Sequence, residues 1–197
     1  VCPRCAGSAC KSGAQPGAAH QSILLGVGGT TNLLVAVGNH GQLLTSHNSW
    51  TNVVTKNDLG QAVTNKVNTL GVVWEAIDPK PTENDLQGVA ALGGTWVVTG
   101  GKGTVLTTTD GKKWNKYQAP TTGILTSVEA FNGRFVATGE DGVTVTSPHG
   151  AAGAKQTSGT TKWIYRVREC DDQLGGVAHT GAILTRPDGH TGAKRRG

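Results

Sequence analysis

The strongest constraint on this chain is a recurrence. Four segments each carry β-rich runs joined by a short glycine-bearing turn: residues 22–27 with LLVAVGNHGQLLTSHN (33–48), QGVAALGGTWVVTGGKGTVLTTTDG (87–111), SVEAFNGRFVATGEDGVTVTSPHG (127–150) and VRECDDQLGGVAHTGAILTRPDG (167–189). Runs rich in Val, Thr and Leu around such a turn are a hairpin signal. Anchored on the glycine that closes the turn (Gly41, Gly103, Gly142 and Gly181), the spacing is 62, 39 and 39 residues. The long first step holds an insertion, residues 49–71, before VVWEAI around Trp74 restores the pattern. A period near 40 residues with several short strands per unit marks propeller blades, small antiparallel sheets that must stack on neighbours to bury their faces. The expected fold is therefore all-β, a β-propeller-like array of about four short antiparallel blades over residues 22–197.

Within the second repeat, alternation along the strands assigns Trp96 and Val98 to one face together with Val105 and Thr107. Gly38, Gly100 and Gly139 recur just before the turn, a position that needs either positive φ or close backbone approach. Ala178 stands there in the fourth repeat, which predicts a different turn. The third repeat runs from its polar loop into KWIYRV, too short to hold both an outer strand and the next inner strand. The fourth ends in TGAKRRG, without the Trp-led strand begun at Trp74 and Trp114. The last blade is thus expected to be incomplete: residues 1–21 supply the missing strand, or another chain does by strand addition, or the sequence stops short of it.

Residues 1–21 differ from the rest. Ala, Gly, Ser and Pro dominate without a period, as in a flexible tail, and Cys2, Cys5 and Cys10 lie here, far from Cys170. Cys2-x-x-Cys5 with Cys10 and either His20 or Cys170 could form a zinc tetrahedron, but the second ligand-spaced pair is missing. An even cysteine count in a loop-rich chain fits disulfides in an exported protein. Among the three pairings, Cys2–Cys5 with Cys10–Cys170 would tie the tail to the last repeat. No metal and no cofactor is expected. Met is absent, so Val1 is read as a processed N-terminus or a fragment edge. The expected location is extracellular, periplasmic or on the cell surface.

The net charge of +5 owes much to Lys194, Arg195 and Arg196. No basic stripe interleaves with aromatics, so a solvated tail is expected and nucleic acid is not. No apolar run reaches the length of a membrane-spanning helix.

Thr108-Thr109-Asp110-Gly111-Lys112-Lys113-Trp114 resembles a shortened Asp-box, Ser/Thr-x-Asp-Gly-x-x-Trp. With the VAVG-x-x-G-x-x-x-T-S frame it is similar to repeats of bacterial neuraminidase-type and photosystem II assembly-factor-like propellers. The resemblance implies a structural corner in which Asp110 ties down backbone N–H groups and Trp114 packs between strands, with Asp188 in that role in the fourth repeat. Asn48 stands at the Asp position of the first repeat and His149 at that of the third. In this family the motif is not catalytic.

Catalytic signatures are few. Neuraminidases of this kind use an arginine cluster, an Asp and a Tyr/Glu pair, whereas Arg166, Arg168 and Glu169 here read as a solvated face. A glycosidase would need a buried carboxylate with a raised pKa. No P-loop, nucleophile elbow or metalloprotease motif occurs. The turns instead vary on a repeating frame: Asn39-His40, Gly101-Lys102, Glu140-Asp141 and His179-Thr180. That is the pattern of a recognition surface, so Asn39, His40, Lys102, Glu140, Asp141, His179 and Thr180 are the candidate binding residues. Trp50, in the insertion, is the candidate exposed aromatic. The expectation is a non-catalytic module whose partner is a protein, a glycan or another copy of itself. The alternatives are a structural subunit joined by strand exchange and a neuraminidase-like hydrolase.

Overall fold

The computed structural model describes residues 23–151, 153–170, 173–186 and 193–195. Each repeat forms one four-stranded antiparallel blade. Blade one holds β1 (Leu24–Gly29), β2 (Leu33–Gly38), β3 (Leu43–His47) and, after an inserted hairpin of β4 (Trp50–Lys56) and β5 (Ala62–Asn68), the outer strand β6 (Glu75–Ala76). Blade two is β7 (Leu86–Leu92), β8 (Thr95–Gly100), β9 (Thr104–Thr108) and β10 (Asn115–Gln118). Blade three is β11 (Leu125–Phe131), β12 (Arg134–Gly139), β13 (Thr144–Ser147) and β14 (Ala154–Gln156). Blade four is β15 (Ile164–Cys170), β16 (Gln173–Ala178), β17 (Ala182–Arg186) and β18 (Ala193–Arg195).

The blades stack in chain order through three apolar clusters. Leu33, Val35, Val37 and Leu43 of blade one meet Leu86, Trp96, Val98 and Leu106 of blade two. Val97 and Val105 of blade two meet Leu125, Val128, Phe135, Ala137 and Val145 of blade three. Phe131 and Val136 of blade three meet Ile164, Val167 and Leu174 of blade four. Each inner strand carries one bulge at an equivalent place, at Leu25, Gln87, Thr126 and Tyr165.

The register corrects the expected faces. Trp96 pairs with Thr108 and Val98 with Leu106, while Val97 pairs with Thr107 and Thr99 with Val105. Cross-strand partners share a face, so Val105 and Thr107 lie with Val97 and Thr99, opposite Trp96. A turn one residue longer or shorter would have reversed every side chain of one strand.

The turn frame repeats more closely than its sequence. All four tip turns place their middle residue at positive φ: His40 52°, Lys102 55°, Asp141 53° and Thr180 69°. Gly38, Gly100 and Gly139 are extended rather than left-handed, and a Cβ on them would run into the carbonyls of Ile23, Asp85 and Ile124. Close approach is therefore their reason. With Ala178 the entry bond is kept: His179 N donates to Trp163 O at 2.8 Å, as Asn39, Gly101 and Glu140 donate to Ile23, Asp85 and Ile124 in the other blades. The middle residue of that turn moves to the largest φ of the four, 69° at Thr180.

Blade four is complete, which corrects the expected missing strand. Ala193–Arg195 pairs antiparallel with β17, Ile183 opposite Arg195. Lys194 and Arg195 are thus strand residues rather than tail. Blade three likewise takes its outer strand from Ala154–Gln156, leaving Ile164–Cys170 wholly to blade four. Cys2, Cys5 and Cys10 lie outside the described residues, as do Asp188 and the side chain of Cys170, so the cysteine pairing falls outside them too.

Candidate interaction surfaces

The strand directions create two rims. One carries the tip turns and the entries to the inner strands; the other carries the β1–β2-type hairpins and the corners after the third strands.

At the tip rim, the sequence-selected residues divide by what their side chains do. Asn39 Oδ1 accepts from Ile23 N at 2.8 Å and Glu140 Oε2 from Ile124 N at 3.0 Å, each closing the entry to its own inner strand. These two hold the frame. Asp85 Oδ1 accepts from His40 N at 2.8 Å and Lys80 Nζ donates to His40 O at 2.9 Å, locking blade one's turn to the blade-two entry. Gln118 Nε2 donates to Lys102 O and to Thr121 O, both at 2.8 Å. The side chains left toward solvent are those of His40, Lys102, Asp141, His179 and Thr180.

His179 belongs to a feature that the sequence reading missed. Its ring lies 6.2 Å from that of Tyr165, which lies 6.4 Å from Trp163, both tilted near 50° (48° and 54°). Offset and tilted rings at this spacing attract one another. Trp163 comes from a connection, Tyr165 from the bulge and His179 from a turn. The signal was the fourth-repeat pairing, which sets Ala178 against Ile164 and so brings 179 beside 163.

On the inner strands, Arg168 Nη1 reaches Glu129 Oε2 of the neighbouring blade at 2.9 Å. Arg168 is thus not simply part of a solvated face. Burial raises the Glu129 carboxyl above its ordinary value, and the Arg168 charge opposes that rise. The guanidinium favours the charged form of this carboxyl and burial favours the neutral one.

The corner rim is built by hydrogen bonds. Asp110 Oδ1 accepts from Lys112 N at 2.8 Å, from Lys113 N at 2.9 Å and from the Thr108 hydroxyl at 2.9 Å. The backbone N–H groups of Lys113 and Lys112, with that hydroxyl, pull the Asp110 carboxyl down to about 2. Thr108 Oγ1 accepts from Gly111 N at 3.0 Å, and Trp114 Nε1 donates to Gly111 O at 3.3 Å.

Blade one makes the same corner with other atoms. Ser46 Oγ accepts from Gly71 N at 2.8 Å, and Trp74 Nε1 donates to Gly71 O at 3.3 Å. The carbonyl of Thr69 accepts from Val72 N at 3.0 Å and Val73 N at 2.9 Å, doing the work of the Asp110 carboxylate. Asn48, at the expected Asp position, instead donates to Thr31 O and accepts from Asn68 Nδ2. The β4–β5 hairpin is therefore spliced into a corner that closes behind it. Blade three keeps only the Ser147 Oγ to Gly150 N bond, at 2.8 Å, among the bonds described for this corner.

The hairpin forms an arm. Its strands pair from Trp50 opposite Asn68 to Lys56 opposite Ala62, in a sheet of their own. Trp50 is 65% exposed, Val54 65% and Leu59 81%.

No protein-family model matches the chain, and no curated protein sequence matches it. Solved structures do. YCF48 bound to a D1 peptide superposes with a TM-score of 0.64 at 14% identity, over 89% of this chain and 54% of that one. YCF48 from Cyanidioschyzon merolae gives 0.62 at 17% identity, over 89% and 57%. The WD40 β-propeller domain of Doa1 gives 0.56 at 10% identity, over 88% and 54%. The fold is that of a β-propeller. This propeller chain spans little more than half the length of those three structures, and at such identities the likeness concerns the fold alone.

Proposed function

We propose that this chain is a non-catalytic binding module outside the cytoplasm, presenting a protein-binding arm on a propeller scaffold. The observation that carries this reading is the β4–β5 arm. An isolated two-stranded hairpin is marginal in water, yet this one sets Trp50, Val54 and Leu59 toward solvent. A large aromatic and branched aliphatics displayed together are what a protein partner's surface buries most effectively. The blade-one corner closes on Thr69 at the base of the arm, and β4 and β5 form a sheet of their own, which supports the same reading. Among proteins of similar fold, YCF48 is bound to a D1 peptide, so a propeller can hold a peptide segment. We further read the Asp110 and Trp114 corner as an Asp-box and assign it to the scaffold. Export is supported by the four cysteines.

The test is selection of binders from a displayed peptide library on the folded chain, followed by Trp50→Ala and by arm replacement. Binding that falls about tenfold or more with Trp50→Ala, at unchanged melting temperature, supports the arm. Selected peptides that bind equally to the armless chain overturn it. Release of a fluorescent aglycone from a sialoside substrate by the wild-type chain would overturn the non-catalytic reading.

A further inference from the structure

The two ends of the blade stack carry faces that elsewhere pack against a neighbouring blade. On the receiving side, Leu24 and Val27 of blade one occupy the register positions of Leu86 and Val89, Leu125 and Val128, and Ile164 and Val167. Leu86, Leu125, Val128, Ile164 and Val167 are buried against the preceding blade, whereas Leu24 is 50% exposed and Val27 66%. On the giving side, Val177 and Ile183 of blade four occupy the positions of Val37 and Leu43, Thr99 and Val105, and Thr138 and Thr144. Those six are buried, while Val177 is 53% and Ile183 50% exposed.

We propose that a second copy of this chain covers both faces, blade four of each copy stacking on blade one of the other to close an eight-bladed ring. The contact continues the interface already made three times within the chain. Its two halves, Val37 with Leu43 on one side and Leu86 on the other, meet in one apolar cluster between blades one and two. A second copy carries both halves in register. Self-closure of four blades is excluded by the exposure of both faces. Two copies supply eight blades, within the usual range for closed propellers, and three would exceed it. Residues 1–21 are a poor cover, because apart from Val1 they hold no Val, Leu, Ile, Phe, Tyr or Trp. A heterologous contact that closes after two copies leaves no free end. The strand edge plays no part, since β18 already pairs it. This inference does not depend on the arm.

Light scattering on the full chain after size exclusion should give twice the 20.2 kDa chain mass. Leu24→Lys and Val177→Glu change exposed positions, so each variant should keep its circular dichroism spectrum while its dissociation constant rises about tenfold or more. Mixing the two variants should restore the dimer, because the mixed pair has one wild-type interface and one Lys–Glu interface. Deleting residues 1–21 should leave the dimer intact. A monomer at every attainable concentration overturns the proposal, as does a filament of open ends. So does a chain that dimerises only after the tail is removed, which would make residues 1–21 the cover. Dimer loss from Leu24→Lys but not from Val177→Glu would show blade one meeting blade one, and would overturn the head-to-tail ring.

Discussion

At the residue scale, the Asp110 carboxylate shows how one side chain sets a corner. Three donors converge on Oδ1 and hold the group ionised down to about 2, against an ordinary value of 3.8. In the acid range between those values the folded chain binds fewer protons here than the unfolded chain. Stability from Asp110 is therefore fully present above the ordinary value and is lost as pH falls toward about 2. Asp110→Asn keeps an acceptor but removes the charge. Its melting temperature should be lower than wild type near neutrality, and the difference should shrink in the acid range. An Asp110→Asn chain that melts with the wild-type acid dependence would show that the carboxylate contributes nothing to the corner. Thr69 in blade one makes the comparison sharper, because a peptide carbonyl cannot titrate over this range. The acid sensitivity belongs to blade two's corner and not to blade one's.

At the element scale, the equivalence of the two corners makes the arm removable. Replacing residues 48–70 by a single Asp would join Ser46-His47 to Gly71-Val72-Val73-Trp74 in the order of the blade-two corner. The new carboxylate should accept from the N–H groups of Val72 and Val73 that Thr69 O now serves. The shortened chain should fold with a melting temperature equal to or above wild type, since the loop to be closed is more than twenty residues shorter. A chain that aggregates or loses its cooperative transition would mean that the arm supports blade one. The hairpins of each blade are legible in the sequence because the positive-φ turn and its glycine leave a fixed signature. The outer strands of blades three and four are not, since each is three residues long and follows a polar loop instead of a Trp. Their signal is slight: Gly153-Ala154-Lys155 and Gly192-Ala193-Lys194 enter both. The splice at Thr69 is not legible at all, because a backbone carbonyl carries no residue signature. The tip-turn residues are legible as positions but not as roles. Nothing in their spelling separates Asn39 and Glu140, tied to strand entries, from His40 and Asp141, which face solvent. The aromatic row of Trp163, Tyr165 and His179 depends on pairing between segments and so needs the register.

At the scale of the whole molecule, stability runs along a line of nearest neighbours. Among the described residues each apolar cluster joins two adjacent blades, so the three clusters act as links in series. Leu125 sits in the central link and Ile164 in the last one, both fully buried. Truncating either to Ala should cost about 2–5 kcal/mol, yet the two losses should spread differently. Weakening the last link frees blade four from three blades that still hold one another. Weakening the central link leaves two pairs of blades, each with a single internal cluster, so opening there approaches global unfolding. Amide exchange measured in the Leu24→Lys background keeps a neighbouring copy from bridging the ends. There Ile164→Ala should lose protection chiefly across Ile164–Cys170, Gln173–Ala178 and Ala182–Arg186. Leu125→Ala should lose it across all four blades. Identical exchange maps for the two variants would mean that the array unfolds as one unit whichever link is cut, and the series picture would fail.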